Sequence, residues 1–377
     1  MREQVAQRIR GLDTLRALAI VLVLMSHYTA FVSQRPNFGW LGDVGWAGVD
    51  LFFVLSGYLI GNQICGAIAR GEVFSFKIFF ARRLLRTLPN YYVVLAVYFL
   101  LPQLLNGSSV APLWRFLTFT QNFGLQYGQT FTHSWSLCIE EQFYLILPVL
   151  AWLIAGRRHA LAGAWLLLLG AIAAGMAMRG YAALDMGRNS FSQELYYSSF
   201  ARFDELLPGV ALALIKNFHG RFYARLLNWG NTLLVAGAGL AGLMLYLLSS
   251  EAVEQPWVTT LGFSVLAMAF GLLTCSALSP RSLLNKLPVP GAASLALWSY
   301  AVYLAHKPIF MLLAPPMRSH QISADTLLNI ALVFAAGIGG GWLLYRLVES
   351  PFMRLRERWY PVRRAEPSFA QQGLQGV

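Results

Sequence analysis

Histidine and arginine inside apolar stretches are the residues here whose types and spacing invite chemistry. Residues 12–32 form one such stretch, and it holds Arg16 and His27. On a helix the two fall about 20° past three full turns from each other, on one face, about 16 Å apart along the axis. Asp13, three residues before Arg16, shares that stripe. Imidazole has the right range for proton transfer near neutral pH. The plainer alternative is an Arg16 that snorkels to the surface and a His27 hydrogen-bonded inside a helix bundle. That alternative must tolerate both groups on one helix without a polar cavity, and an ionisable residue inside a membrane is a functional candidate by default.

Other apolar stretches carry ionisable groups at a comparable depth: Asp50, Glu140 and Glu141 with His133 just before them, Arg202, and His306. Together they predict a polar cavity around His27. A carboxylate among Asp50, Glu140 and Glu141 would orient the imidazole, as in the triad logic. His133, Arg202 and His306 would line the substrate side. Taken singly, each also reads as half of a buried structural pair, such as Asp50 or a glutamate with Arg202. A second basic group stands in KIFFARRLLRTLP (77–89), which contains Arg82, Arg83 and Arg86. Arg83 and Arg86, three apart, share a helix face and could grip a phosphate-bearing cofactor or co-substrate bidentately. The alternative is ordinary anchoring at a basic membrane face.

These residues need apolar helices to hold them. The chain has 377 residues, 57% hydrophobic and only 12% charged, about half the charge of a soluble domain. Mean hydropathy is +0.53. A soluble enzyme, a disordered chain and a disulfide scaffold are excluded. The pattern predicts an all-α, polytopic integral membrane protein with ten spans: 12–32, 44–64, 88–105, 134–155, 161–178, 196–215, 229–249, 257–278, 292–313 and 327–348. With the N-terminus placed in the cytoplasm, the inner segments hold 21 of the 29 Lys and Arg. The outer loops hold five, Arg35, Arg115, Arg179, Arg188 and Arg318. That asymmetry predicts N-in and C-in. It also accounts for most of the net charge of +12 without a nucleic-acid partner. Cys65, Cys138 and Cys275 stand in or beside apolar runs, not in a metal or disulfide pattern, and read as small buried hydrophobes. Ala238 with Gly242, and Gly337 with Gly341, read as close helix contacts. Residues 356–377 read as a disordered cytoplasmic tail.

Seven blocks carry a family resemblance: RIRGLDTLRALAIVLVLMSH (8–27), GVDLFFVLSGYLI (48–60), ARRLLRTLPNYY (81–92), HSWSLCIEEQFYLILP (133–148), RFDELLPG (202–209), SYAVYLAHKPIF (299–310) and VESPFMRL (348–355). In these blocks and their order the chain resembles the acyltransferase 3 family of membrane O-acyltransferases, which includes O-antigen and other glycan O-acetylases. The resemblance implies a ten-helix domain over residues 1–355 in a bacterial inner membrane. It implies transfer of an acyl group from cytoplasmic acyl-CoA, acetyl-CoA foremost, to a hydroxyl of a glycan outside. It implies His27 as the catalytic histidine with Arg16 as its partner, Arg83 and Arg86 as the paired donor-side arginines, and Glu141, with Glu140, as motif glutamates. An extracytoplasmic esterase-like domain, carried by many members, is expected to be absent. Lys307 follows His306 where the family commonly has an apolar or aromatic residue, and this argues against direct catalysis by that segment.

Residues and resemblance meet on one expectation: His27 removes the proton of the acceptor hydroxyl, because a free alcohol is a poor nucleophile at neutral pH. An acyl-His27 intermediate and acyl transfer through Cys138 are rival routes. Lipid or small-molecule acceptors, and a succinyl donor, are rival substrates. A transporter with a proton relay is the rival from another class. The loops 106–133 and 179–195 are expected to select the acceptor, with Trp114, Phe116, Tyr127, Phe131 and Tyr181 able to stack on sugars or to anchor at the interface.

Overall fold

A computed structural model describes residues 8–72, 74–105, 109–185 and 195–361. Ten helices carry the site: α1 Arg10–Tyr28, α2 Ala47–Ala69, α3 Phe76–Leu100, α4 Trp135–Ala155, α5 Ala160–Asp185, α6 Leu207–Phe218, α7 Gly230–Ser249, α8 Pro256–Leu278, α9 Ala292–Ser319 and α10 Leu327–Leu344. A shorter helix, α11 Ser350–Trp359, follows α10 through a π turn at Tyr345–Glu349. No strand occurs among the described residues.

Seven of the helical stretches are long and apolar enough to cross a membrane on their own composition, those of α1, α2, α4, α5, α7, α8 and α10. The other three expected spans, 88–105, 196–215 and 292–313, do not qualify, and each has a visible reason. Helix α3 begins at Phe76, well before residue 88, and so carries Arg82, Arg83 and Arg86 as well as Pro89 and Asn90. The span expected at 196–215 is broken: a short helical turn at Ser199–Arg202 and a 3-10 turn at Phe203–Leu206 precede α6, which is only 12 residues long. Helix α9 holds His306, Lys307 and three prolines.

Helix α1 is enclosed by α2, α8 and α9, and small residues let the helices approach. Gly45 and Gly48 of the α2 segment face the backbone of Leu22 and Ala19. Gly57 of α2 and Gly209 of α6 pack on the backbones of Leu206 and Val54. Gly337 and Gly341 bring α10 onto α9 at Phe310 and Val302, as expected. The expected Ala238–Gly242 contact is corrected: Gly242 faces open space, and Gly237 makes the close approach to α8 at Ala269 and Leu273. A sheath apolar on all faces suits α5 and α10, the least enclosed spans.

Two further expectations change. Arg179 lies inside α5, fully buried, with its guanidinium on Asp204 at 2.7 Å, so it is not an outer-loop residue. The boundary expected at residue 355 falls within α11, which docks on α3. Residues 362–377, and with them most of the expected tail, lie outside the described residues, as does Arg188.

Candidate active site: two chambers joined at Tyr303

Helix α1 points Arg16 and His27 into different cavities. Arg16 lines a chamber of about 310 Å3 together with Arg83 and Arg86 of α3, Glu140 and Glu141 of α4, and Ser56 of α2. His27 lines a second chamber of about 350 Å3, with His133, Lys307 and an aromatic wall of Trp46, Trp135, Tyr196 and Phe263. Val49 and Tyr303 line both, so the two chambers meet there. Tyr303 is pinned at this junction: its hydroxyl donates to the His133 carbonyl (2.5 Å) and accepts from Ser136 Oγ (2.6 Å).

In the histidine chamber, Nδ1 of His27 lies 2.6 Å from Nε2 of His306, with the rings stacked at a centroid distance of 4.9 Å. His306 Nδ1 lies 2.9 Å from the Val302 carbonyl, one turn back on α9. A carbonyl only accepts, so His306 Nδ1 carries a proton. The neutral ring then keeps its lone pair on Nε2, which accepts from Nδ1–H of His27. The lone pair of His27 is thereby left on Nε2, which makes no hydrogen bond among the described residues and belongs to a side chain lining the chamber. The helix itself changes pitch directly after this residue, with a π turn at Thr29–Ser33. Such turns recur at functional sites.

His133 stands edge-on to both rings, 6.3 Å from His27 and 5.8 Å from His306 by centroids. Its Nε2 donates to the Leu304 carbonyl at 3.3 Å. The sequence explains why that carbonyl is available. Residue 308, four positions on, is Pro308, which has no N–H to offer it. Nδ1 of His133 is buried with no hydrogen-bond partner.

In the arginine chamber, none of Arg16, Arg83 and Arg86 forms an ion pair among the described residues. Arg83 lies over the ring of Tyr144, with Cζ 3.6 Å from the centroid, and its Nε is buried without a partner. Glu140 is held by Tyr144 Oη at 2.7 Å and Ser56 Oγ at 3.2 Å. Three clustered guanidinium groups face a cavity that Glu140 and Glu141 also line without pairing with them, and such a cluster can take an anion with several oxygens, such as a phosphate.

The expected site residues thus sort into separate groups. His27, His133 and His306 come together, and so do Arg16, Arg83, Arg86, Glu140 and Glu141. A carboxylate was expected beside His27, but Asp50, Glu140 and Glu141 do not touch it, and His306 takes that position. Asp50 and Arg202 form a buried pair at 2.6 Å, joined by Glu205, and neither lines a chamber. Arg202 sits behind the aromatic wall, 4.1 Å from the Phe263 centroid and 4.8 Å from that of Tyr196. Arg82 turns away from the arginine chamber to Glu357 (2.9 Å) and the Tyr360 carbonyl, tying α11 to α3. Cys65, Cys138 and Cys275 are free and buried, and Cys138 lines neither chamber. Of the loop aromatics, Tyr127 lines the histidine chamber, Phe116 is buried in the core, and Trp114 and Tyr181 are exposed elsewhere. Reasoning from sequence assigned no task to Tyr303, Tyr144, Ser56 or Lys307. For Lys307, a lysine within an apolar stretch was the available signal.

Comparison with known proteins bears on the family of the chain. A family model described as an acyltransferase domain, that of the acyltransferase 3 family, matches residues 9–346. The chain is 28% identical over 364 residues to a peptidoglycan O-acetyltransferase of Listeria monocytogenes, covering 91% of this chain and 56% of that protein. It is 32% identical over 363 residues to a putative peptidoglycan O-acetyltransferase of Bacillus subtilis, covering 91% and 54%. It is 25% identical over 372 residues to a putative O-acetyltransferase of Staphylococcus aureus, covering 92% and 57%. The chain therefore spans a little over half the length of these relatives. No solved structure matches it. A transporter is set aside by the family match, and with 338 of its residues inside one family model the chain belongs to the acyltransferase 3 family of membrane acyltransferases.

Proposed function

We propose that this chain moves an acyl group, acetyl foremost, from cytoplasmic acyl-CoA to a hydroxyl of an extracytoplasmic glycan, as a multi-pass protein of a bacterial inner membrane. The observation that carries the reading is the contact at Tyr303 between a chamber of three arginines that no carboxylate pairs and a histidine chamber whose His27 keeps its lone pair on Nε2. The basic asymmetry along the chain supports a cytoplasmic side for the arginine chamber. The names of the relatives support O-acetylation of a cell-wall glycan.

On this reading Arg83, Arg86 and Arg16 hold the phosphates of CoA, and the pantetheine arm runs past Tyr303 to place the thioester at the junction. The acceptor hydroxyl enters the histidine chamber. His27 Nε2 takes its proton as the oxygen attacks the thioester carbonyl. Collapse of the tetrahedral adduct forms the ester C–O bond and breaks the C–S bond. The thiolate leaves and takes the proton back from His27, so the enzyme returns unchanged. Holding both reactants at one junction replaces a bimolecular encounter in solution.

The test is acetyl transfer by the full chain in proteoliposomes. His27→Ala is expected to lose about 100-fold or more, the usual worth of a general base. Arg83→Ala with Arg86→Ala is expected to weaken acetyl-CoA binding about tenfold or more. Arg82→Ala, on the other face of α3, is expected to leave that affinity unchanged. Full transfer by His27→Ala refutes the base assignment, and an Arg82 effect as large as that of the pair refutes the donor site.

A further inference from the structure

Lys307 has no task in the mechanism above, yet it adjoins the catalytic pair. It follows His306 on α9 and is 4% exposed. Its Nζ lies 4.5 Å from the centroid of the Phe31 ring. Among the described residues it has neither a carboxylate nor a hydrogen-bond acceptor as partner. A lysine ammonium buried in a membrane bundle without a counter-ion is costly and is retained for a use.

The surroundings say where its anion comes from. Lys307 lies in the wall between the histidine chamber and a smaller chamber of about 220 Å3, to which Gln34, Gln129 and Arg318 also contribute. Neither cavity includes Arg16, Arg83 or Arg86, so the phosphates of the donor are held elsewhere. Asp50 and Glu205 are taken up by Arg202 and Glu140 by Ser56 and Tyr144, while Glu141 lines the arginine chamber, which Lys307 does not reach. The remaining anion is one that arrives with the acceptor. Arg318 adds a second positive charge to the lining of the smaller chamber.

We propose that the acceptor is an acidic glycan whose carboxylate or phosphate binds Lys307 between the two outer chambers, with the neighbouring sugar in the smaller chamber near Arg318. This rests on the acceptor entering at His27, as argued above. It makes Lys307 a specificity residue: the fixed distance from its ammonium to His27 selects which hydroxyl of the acidic sugar meets the base.

The test reads binding, so that it does not depend on transfer. The full chain in nanodiscs is titrated with a uronic-acid trisaccharide, with its carboxamide, and with a neutral trisaccharide carrying one phosphomonoester. Wild type is expected to bind one of the two anions about tenfold or more tighter than the carboxamide, the worth of one charge-assisted contact, and the tighter anion identifies the group. Lys307→Met is expected to level the three ligands, and Lys307→Arg to keep the preference. Arg318→Gln, on the exposed rim where folding is not at stake, is expected to narrow it. Equal binding of all three by wild type overturns the proposal, as does a preference that survives Lys307→Met. Acetyl transfer is followed in the same samples: an anion preference without any transfer keeps this inference and refutes the proposed activity.

Discussion

At the residue scale the account turns on which nitrogen of His27 is basic. The answer comes from a carbonyl: Val302 fixes the proton of His306, and His306 fixes that of His27. A second imidazole thus does the orienting that a carboxylate does in a hydrolase triad. It follows that His306→Ala should lower kcat about 100-fold while the KM for acetyl-CoA stays within about twofold. His306→Gln, which can still accept from Nδ1–H, should recover about tenfold of that loss. A merely structural role would instead lower thermal stability and both kinetic constants alike in the two variants. How much of this was legible depends on the residue. The helical phase of Arg16 and His27 was readable, because both lie on one helix. So was the face shared by Arg83 and Arg86. The partner of His27 was not, because choosing among Asp50, Glu140, Glu141 and His306 requires knowing how four helices pack. Asp50 went to Arg202, far away in sequence, and Glu140 to Tyr144, one turn on in its own helix, where spacing allows the pair but does not choose it over the other candidates.

At the element scale the site depends on irregularities in its helices. The π turn ends α1 directly after His27, Pro308 opens the carbonyl that His133 takes, and α6 is cut short by turns that bury Arg202, Asp204 and Glu205. Composition hid the first two, since a hydropathy window averages over them, whereas Arg202, Asp204, Glu205 and Pro208 marked the span expected at 196–215 as the weakest. The prolines were visible, but their consequence was not, because a freed carbonyl is satisfied by whatever helix packs there. The approach of α10 to α9 offers a test of the same idea. A side chain at Gly341 would meet the backbone and side chain of Val302, the residue that anchors His306. Gly341→Leu should therefore cost about 1–3 kcal/mol of stability by overpacking, measured by thermal unfolding in detergent. In the fraction that stays folded it should lower kcat without weakening acetyl-CoA binding. A variant that unfolds at the wild-type temperature with wild-type kcat would show that this contact does not hold the histidine pair.

At the scale of the whole molecule, the fold class and most span positions were readable because about 20 apolar residues in a row have few other uses. The three helices that fail on composition are those that carry polar residues into or beside the chambers: α3 with its arginines, α9 with His306 and Lys307, and α6 behind its ion pairs. Function and hydropathy compete in such helices, whereas α1 and α4 also line the chambers and still qualify because their polar residues are few among apolar ones. The bundle places an arginine chamber and a histidine chamber side by side at Val49 and Tyr303, and the central claim of the proposal is that donor and acceptor meet there from opposite sides of the membrane. Its most direct test is sidedness in sealed proteoliposomes of uniform orientation, with labelled acetyl-CoA outside and an acceptor oligosaccharide trapped inside, or the reverse. The account predicts labelled ester on the trapped acceptor when acetyl-CoA faces the arginine chamber, and none with His27→Ala. Transfer that occurs only when donor and acceptor share one side would contradict it.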